Sequence, residues 1–454
     1  MSYTIRAQQA VLPGHEAPVP ATIVVKAGKI ASVVEGEASG DAAGEVVDIG
    51  AGRVLVPGLI DSHVHLNQPG RTAWEGFATG TAAALAGGVT TLIDMPLNSI
   101  PPTTTVANLG EKRQAATATG VRCDVGFWGG IIPGNAGDLK PLLAAGAKGF
   151  KCFLIESGVD EFPCVGEADL IAACDALQGT NALVMFHAEL ERVPGSHSHA
   201  QPEAYATFLA SRPPQLELDA LSLILSLARR YPSLRFHIVH LSAADALAPI
   251  RAARAGTDGG APVANLTVET CFHYLTLAAE GVPDNATSYK CCPPIRPEAN
   301  RQLLREAVID GTIDYVVSDH SPCTPELKKG DFMSAWGGVS GLGFGLPLLW
   351  TEFGREVPLP RVVGWLSAAQ AAQVGLAGTK GEIRPGADAD FAVFDPDASV
   401  EVTQADLLFR NKQSAYIGKT LRGRVDRTYL RGEAVWDADD AAGSLAAETR
   451  GQLL

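Results

Sequence analysis

Six side chains in this sequence are of types that hold divalent cations or move protons, and all six stand at or near the end of an apolar run. His63 and His65 close VLVPGLIDSHVHL, two residues apart and so on one face of an extended strand. Lys151 lies in AKGFKCFLI, His187 in ALVMFHAE, His240 in RFHIVHLS, and Asp319 ends IDYVVSD. Imidazole and carboxylate are good ligands for zinc and similar divalent ions. Taken singly, each has a plainer reading. A lone histidine at a strand end is more often a hydrogen-bonded structural group, a lone lysine snorkels past apolar neighbours, and a lone aspartate caps a helix. Recurrence at the ends of five separate runs is hard to explain as packing and points to a metal centre.

Lys151 needs separate treatment, because an ammonium ion is repelled by a metal. In an apolar, cation-rich pocket its pKa falls, and the neutral amine can add carbon dioxide to give a carbamate. That anion has two oxygens and can bridge two metals. The remaining histidines read as structural or supporting groups. His237 faces away from His240 on its strand, His197 and His199 lie in a polar loop, His15 lies near the amino terminus, His320 follows Asp319 and points away from it, and His273 lies in ETCFHYL.

The elements that must position these groups are short. GLIDSHVHL, VTTLIDMP, VRCDVGFWGG, AKGFKCFLI, ALVMFHAE, RFHIVHLS, APVANLTVETC and IDYVVSD read as strands, separated by alanine- and leucine-rich helical segments such as LDALSLILSLARRY. Eight alternating βα units predict an α/β fold, a closed parallel (β/α)8 TIM-type barrel whose chemistry lies at the carboxyl ends of the strands. Three β-type runs open the chain (YTIRAQQAVL, ATIVVKAGKIASVVEG, EVVDIGAGRVLVPG) and the tail (ADADFAVFDPD, AYIGKTLRGRVDRTYLRGEAVWD) has the same texture. Both ends are therefore expected to join one antiparallel sheet assembly, with residues 1–56 and 385–454 forming a small domain and residues 57–384 the barrel.

The formal net charge is −14, and Lys and Arg form no stripe, which argues against nucleic acid or an anionic membrane as partner. The first residues lack the basic and apolar regions of a secretion signal, and no apolar run reaches membrane-spanning length. A cytoplasmic protein is expected. The 8 cysteines include no CxxC pair and read as reduced thiols.

In order along the chain, HVH, the lysine of the fourth run, two further histidines and the aspartate of the eighth resemble the binuclear amidohydrolases, in their cyclic-amidase branch of dihydroorotases, hydantoinases (dihydropyrimidinases) and allantoinases. The closing stretch GEIRPGADADFAVFD resembles them too, and the branch implies a β-sandwich split between the two chain ends. Dihydroorotases resemble one another in an arginine two residues after HxH, where Asn67 stands here. Hydantoinases carry a tyrosine shortly after the lysine, where KCFLIESGVDEFP has none and Glu156 lies near that place. QPGRTAWEG, MPLNSIPPTT, SGVDEFP, KCCPPIR and SDHSPC resemble allantoinases; ETCFHYL departs from the branch, with Phe272 in place of proline.

The resemblance implies hydrolysis of the hydantoin ring of allantoin to allantoate, with hydantoinase-type activity as the alternative and a non-catalytic scaffold further behind. It implies two divalent ions, zinc first, with manganese, cobalt or iron as alternatives, held by His63, His65, Lys151 (carboxylated and bridging), His187, His240 and Asp319. Asp319 is then the catalytic base and acid. Asn98, the backbone at Cys292, Ser321 and Gly338 are the substrate-binding candidates, the loop from Gly70 to Gly76 and the SHSH segment are lid candidates, and relatives imply a homotetramer.

Overall fold

The computed structural model describes residues 2–36, 45–192, 200–439, 444–446 and 448–454. The amino-terminal runs break into five strands, β1 (Ser2–Ala10), β2 (Val19–Lys26), β3 (Lys29–Glu35), β4 (Glu45–Ile49) and β5 (Val54–Pro57). Then come the barrel strands β6 (Leu59–Val64), β7 (Val89–Asp94), β8 (Asp124–Phe127), β9 (Gly129–Gly130), β10 (Phe150–Phe153), β11 (Leu183–His187), β12 (Arg235–Val239), β13 (Leu266–Cys271) and β14 (Tyr315–Val317). All pair in parallel, β6-β7-β8 in one run and β9 through β14 in another. Trp128 separates β8 from β9; its backbone N–H donates to Asp94 and its indole N–H to the Ser62 carbonyl, 2.9 and 2.7 Å, so the two pieces act as one bent strand. The circle closes where Val64 bridges His320 in parallel, with the His65 N–H donating to the His320 carbonyl at 2.8 Å. Each of the eight strand runs read in the sequence supplies one barrel strand.

Nearly every barrel-strand residue is buried, as expected where helices cover one face and packed side chains fill the other. The helix Gln215–Arg230 shows how the helical ring is specified. Leu216, Ala220, Leu223, Ile224 and Leu227 recur at three- and four-residue spacing and are buried, and Arg229 and Arg230 end the helix where cations suit its dipole. Among the described residues no helix is long and apolar enough to cross a membrane. All eight cysteines are free thiols.

The tail supplies β15 (Phe391–Glu401), β16 (Thr420–Leu430), β17 (Glu433–Asp437) and β18 (Ser444–Leu445). Both ends form one sheet in the order β18-β17-β16-β15-β5-β1-β2-β3, with β4 also paired to β1. A separate apolar core, with Ile5, Ile23, Leu55 and Phe391, draws on both ends of the chain. The sheet is not antiparallel throughout: β1 pairs in parallel with β4 and β5. Strands brought together by a long connection, rather than a hairpin turn, are free to run the same way.

Beneath the barrel, at the start of β8, Asp124 meets Asp388 and Asp390 around Lys380. The Lys380 Nζ lies 2.7, 2.9 and 2.7 Å from Asp124, Asp388 and Asp390, and Arg431 Nη1 lies 2.8 Å from both oxygens of Asp124. This cluster fastens the end sheet to the barrel.

Candidate active site

At the other end of the barrel, one cavity of about 260 Å3 is lined by His63, His65, Lys151, His187, His240 and Asp319 together with Asn98, Cys292, Ser321 and Gly338. The structure thus brings every sequence-derived site residue to one place. The strand geometry explains how. His63 lies inside β6 and His65 just beyond it, Lys151 lies in β10, His187 ends β11, His240 follows β12, and Asp319 stands two residues past β14. His240 and Asp319 both turn at φ +42°, a left-handed backbone that non-glycine residues rarely adopt and that clusters at functional sites.

The ring and carboxylate atoms face one another. His63 Nε2 is 3.2 Å and His65 Nε2 3.5 Å from Asp319 Oδ1, and His187 Nδ1 is 3.1 Å from His240 Nε2. Zinc held tetrahedrally at about 2.0–2.1 Å has ligand–ligand edges of about 3.3–3.4 Å, and these separations match. His240 Nδ1 is buried without a hydrogen-bond partner, and Lys151, 1% exposed, makes no ion pair among the described residues. The donor set and its unpaired members fit divalent cations.

The electrostatics point the same way. Burial drives Lys151 down to about 8, with Asp319 and Glu269 only partly opposing it. Burial, then Lys151, holds His187 and His240 well below the usual imidazole range, so both rings are neutral donors at pH 7. Burial lowers His65 as well. His63 is the exception: burial works against its charge, but Asp319 and Glu269 outweigh it and bring it to about 9. Asp319 is buried, yet His63 keeps its carboxyl well below the ordinary range.

Three supporting groups fix the rings. Glu269, on β13, accepts from His63 Nδ1 at 2.5 Å and from His237 Nε2 at 3.0 Å. Glu189 accepts from His187 Nε2 at 2.6 Å and from Arg212. Asn98 Nδ2 lies 3.3 Å from His65 Nδ1 while Asn98 Oδ1 has no partner, so a half-turn of the amide lets the ring donate instead. A carboxylate or amide on the far nitrogen sets the tautomer and aim of a metal-binding imidazole. Sequence reasoning missed both glutamates. Glu189 stands two residues past His187, just beyond the end of β11. Arg212 and Lys290, also on the cavity wall, carry no sequence signal.

Cys291–Cys292 and the loop at Gly337–Gly338 also line the cavity. Gly338 has φ +148°, and a Cβ there would meet the Ser321 carbonyl oxygen at 2.2 Å, so only glycine allows this approach. Lys328 donates to the carbonyls of Trp336 and Gly338 at 2.8 and 2.7 Å. The loop from Gly70 to Gly76 does not line the cavity. It buttresses the rim, with Trp74 edge-on to Trp336 at 4.9 Å, Arg71 paired to Glu161, and buried Glu75 accepting from the backbone of Arg410. It stands outside because Glu75 ties it to the tail. The SHSH segment lies outside the described residues. Of the other histidines, His237 is sandwiched between Thr267 and Glu269, and His320 lies against Glu75. His273 is buried with neither ring nitrogen partnered. Phe272, where the branch reads proline, opens the helix Phe272–Thr276; its ring is accommodated because residue 345 is glycine, where a Cβ would meet Phe272 Cζ at 2.5 Å.

The sequence model of the amidohydrolase family matches residues 54–435. The chain belongs to the amidohydrolase family. Within it, the chain is 51% identical to the allantoinase of Saccharomyces cerevisiae over 84% of this chain and 82% of that protein. It is 50% identical to the allantoinase of Streptomyces avermitilis over 95% and 94%. Among solved structures, the L-hydantoinase (dihydropyrimidinase) of Arthrobacter aurescens superposes with a TM-score of 0.88 at 26% identity, covering 99% of both chains. Amidohydrolases are metal-dependent, and the grouping of His63, His65 and Asp319 suits that property.

Proposed function

We propose that the chain hydrolyses the cyclic amide of the hydantoin ring of allantoin, giving allantoate. The observation that carries this reading is the 50% identity to an allantoinase across 95% of the chain, with the rim cavity intact. A hydantoinase activity is the second reading, favoured by the fold match alone at 26% identity. A non-catalytic scaffold is disfavoured by the presence of all six candidate ligands around one cavity.

His63, His65 and Asp319 would hold one divalent cation and His187 and His240 a second, with a carboxylated Lys151 between them. Zinc is the first candidate, and manganese, cobalt or iron the alternatives. Bound there, such ions supply Lewis acidity and bring the pKa of a water to about 7. The rest falls to the chain's own groups. Asp319 is ionised, which is the form a general base requires, and its Oδ2 takes the proton of the attacking water. The same carboxyl then gives that proton to the ring nitrogen as the C–N bond breaks. Glu269 and Glu189 keep the His63 and His187 rings aimed. Asn98, Ser321, Gly338 and the backbone at Cys292 would orient the ring through fixed donors and acceptors. The unit 57–384 would carry the chemistry and the units 1–56 and 385–454 the attached small domain, in a homotetramer of the cytoplasm.

Purified protein in metal- and bicarbonate-supplemented buffer, offered allantoin, hydantoin, dihydrouracil and dihydroorotate separately, tests the reading. Allantoate from allantoin is the expected product. Turnover of hydantoin or dihydrouracil with allantoin ignored would overturn the substrate and leave the fold standing.

A further inference from the structure

We infer that Arg212 is the residue that recognises the ureido arm of the substrate, an inference that rests on the reading just given. Allantoin is hydantoin bearing a ureido group, so the ring amide is common to both and only the arm distinguishes them. A ureido carbonyl oxygen carries two in-plane lone pairs, and a guanidinium offers parallel N–H donors in a fixed fork. A cavity that prefers allantoin needs such a donor pair, free and held in place.

Among the polar groups of the wall, Trp336 Nε1 and Asn98 Oδ1 are buried without a hydrogen-bond partner among the described residues, but neither atom offers a donor pair. The imidazoles, Lys151 and Asp319 belong to the candidate metal centre. Lys290 Nζ donates to the carbonyls of Met333 and Ala335, at 3.3 and 2.5 Å. Ser157 Oγ donates to the Phe162 carbonyl at 2.6 Å and accepts from the Val159 N–H at 3.3 Å. Arg212 differs from these. Its Nη1 is engaged by Glu189, while Nε and Nη2 make no hydrogen bond among the described residues; the residue lines the cavity and its side chain is 22% exposed.

The guanidinium is also fixed. Glu189 is fully buried and holds Arg212 and the His187 ring on the same oxygen, so one carboxylate sets the fork relative to the hydrolytic centre. The Arg212 carbonyl accepts from Arg296 Nη1 at 3.3 Å, and Pro213-Pro214 follow, leading into the helix at Gln215. A donor pair held this way needs little ordering when the substrate arrives. Hydantoin would leave those donors unpaired in the cavity, which is the arrangement that discriminates against an analogue lacking the group.

The test compares kcat/KM for allantoin and hydantoin in the wild type, Arg212→Met and Arg212→Lys, with metal content and circular dichroism recorded for each. Where hydantoin turnover is too slow to follow, its inhibition constant against allantoin supplies the ratio. Arg212→Met is expected to lower the allantoin-to-hydantoin ratio about 10-fold or more, through KM for allantoin, with metal retained. Arg212→Lys keeps a cation against Glu189 but lacks the fork, and is expected to lose most of the same ratio; it carries the test if the methionine variant fails to fold. An unchanged ratio, with both substrates weakened together, would overturn the inference, because it assigns Arg212 to the carboxylate that both ring openings produce or to propping Glu189 alone. Full recovery of the ratio by lysine would overturn it too. A wild type that ignores allantoin would overturn the substrate reading and this inference with it, an outcome distinct from the other two.

Discussion

The barrel carries buried charge at both ends, and the two clusters look alike until their cations are examined. At the base, Asp124, Asp388 and Asp390 present oxygens within 4.8 Å of one another; at the rim, ring nitrogens of His63 and His65 and an oxygen of Asp319 lie within the same span. At the base the slot between them is filled by the Lys380 ammonium, which Asp390 and Asp124 hold above its usual range against the opposing effect of burial. At the rim no ammonium fills the slot. Lys151 is near but is driven toward its neutral form, and among the described residues the inward nitrogens, Nε2 of His63, His65 and His240 and Nδ1 of His187, meet only one another or Asp319. Close-packed ligand atoms therefore do not by themselves make a metal site; what matters is whether the chain supplies the cation itself. The base cluster is complete and joins two parts of the fold, whereas the rim cluster brings ligand atoms together with no lysine ammonium between them among the described residues, as the proposed metal centre requires.

That contrast can be broken by experiment. The largest effect is expected from Asp319→Asn, which keeps the shape of the side chain but removes the base: steady-state assays should show a loss on the order of 10³-fold in kcat/KM with the circular dichroism spectrum unchanged. Lys380→Met should do the reverse. Stranding three carboxylates in a buried slot is expected to cost about 3–5 kcal/mol of stability in thermal or urea melts, while the folded fraction keeps its kcat/KM. The sign with pH is fixed, since Lys380 titrates higher in the folded chain than in the unfolded one. Its contribution is complete below the ordinary lysine value of about 10.4 and is lost as pH rises through the higher folded value, so the penalty of the methionine variant should shrink in alkaline melts.

A smaller effect sharpens the comparison at the rim. Glu269→Gln leaves a hydrogen bond to His63 but removes the charge, and metal affinity measured by competition with a chelating dye should fall about 10- to 100-fold. Because His63 is raised to about 9, metal uptake at pH 7 to 8 should release a proton, seen as a heat of binding that changes with the buffer's ionisation enthalpy. If a protein with both His63 and His65 changed to Asn still took up its full complement of metal, the base cluster would be the ion site and the contrast would fail.

Much of the rim was legible in the sequence because barrel chemistry follows strand ends, and strand ends follow apolar runs. His63, His65, Lys151, His187, His240 and Asp319 each lie at or near the end of such a run, and each of the eight runs supplies one barrel strand. The supporting groups were less legible. Glu269 reaches His63 from a strand 206 residues away in sequence, a meeting that only barrel closure produces. Arg212 stands on the wall because Glu189 draws it there, and the left-handed backbone at His240 and Asp319 leaves no trace in residue type. The parallel pairing of β1 with β4 escaped for a similar reason, since alternation marks a strand and says nothing about its direction.

The pairing of Phe272 with Gly345 has a consequence for how this chain can change. A side chain at 345 is admissible only after the ring at 272 has gone, and removing the ring first leaves a buried hole against the glycine. Placing at 272 alone the proline that the resemblance leads one to expect should therefore weaken the fold. The two sites constrain the order of their substitutions, and a design that borrows consensus residues one at a time would meet that barrier here first.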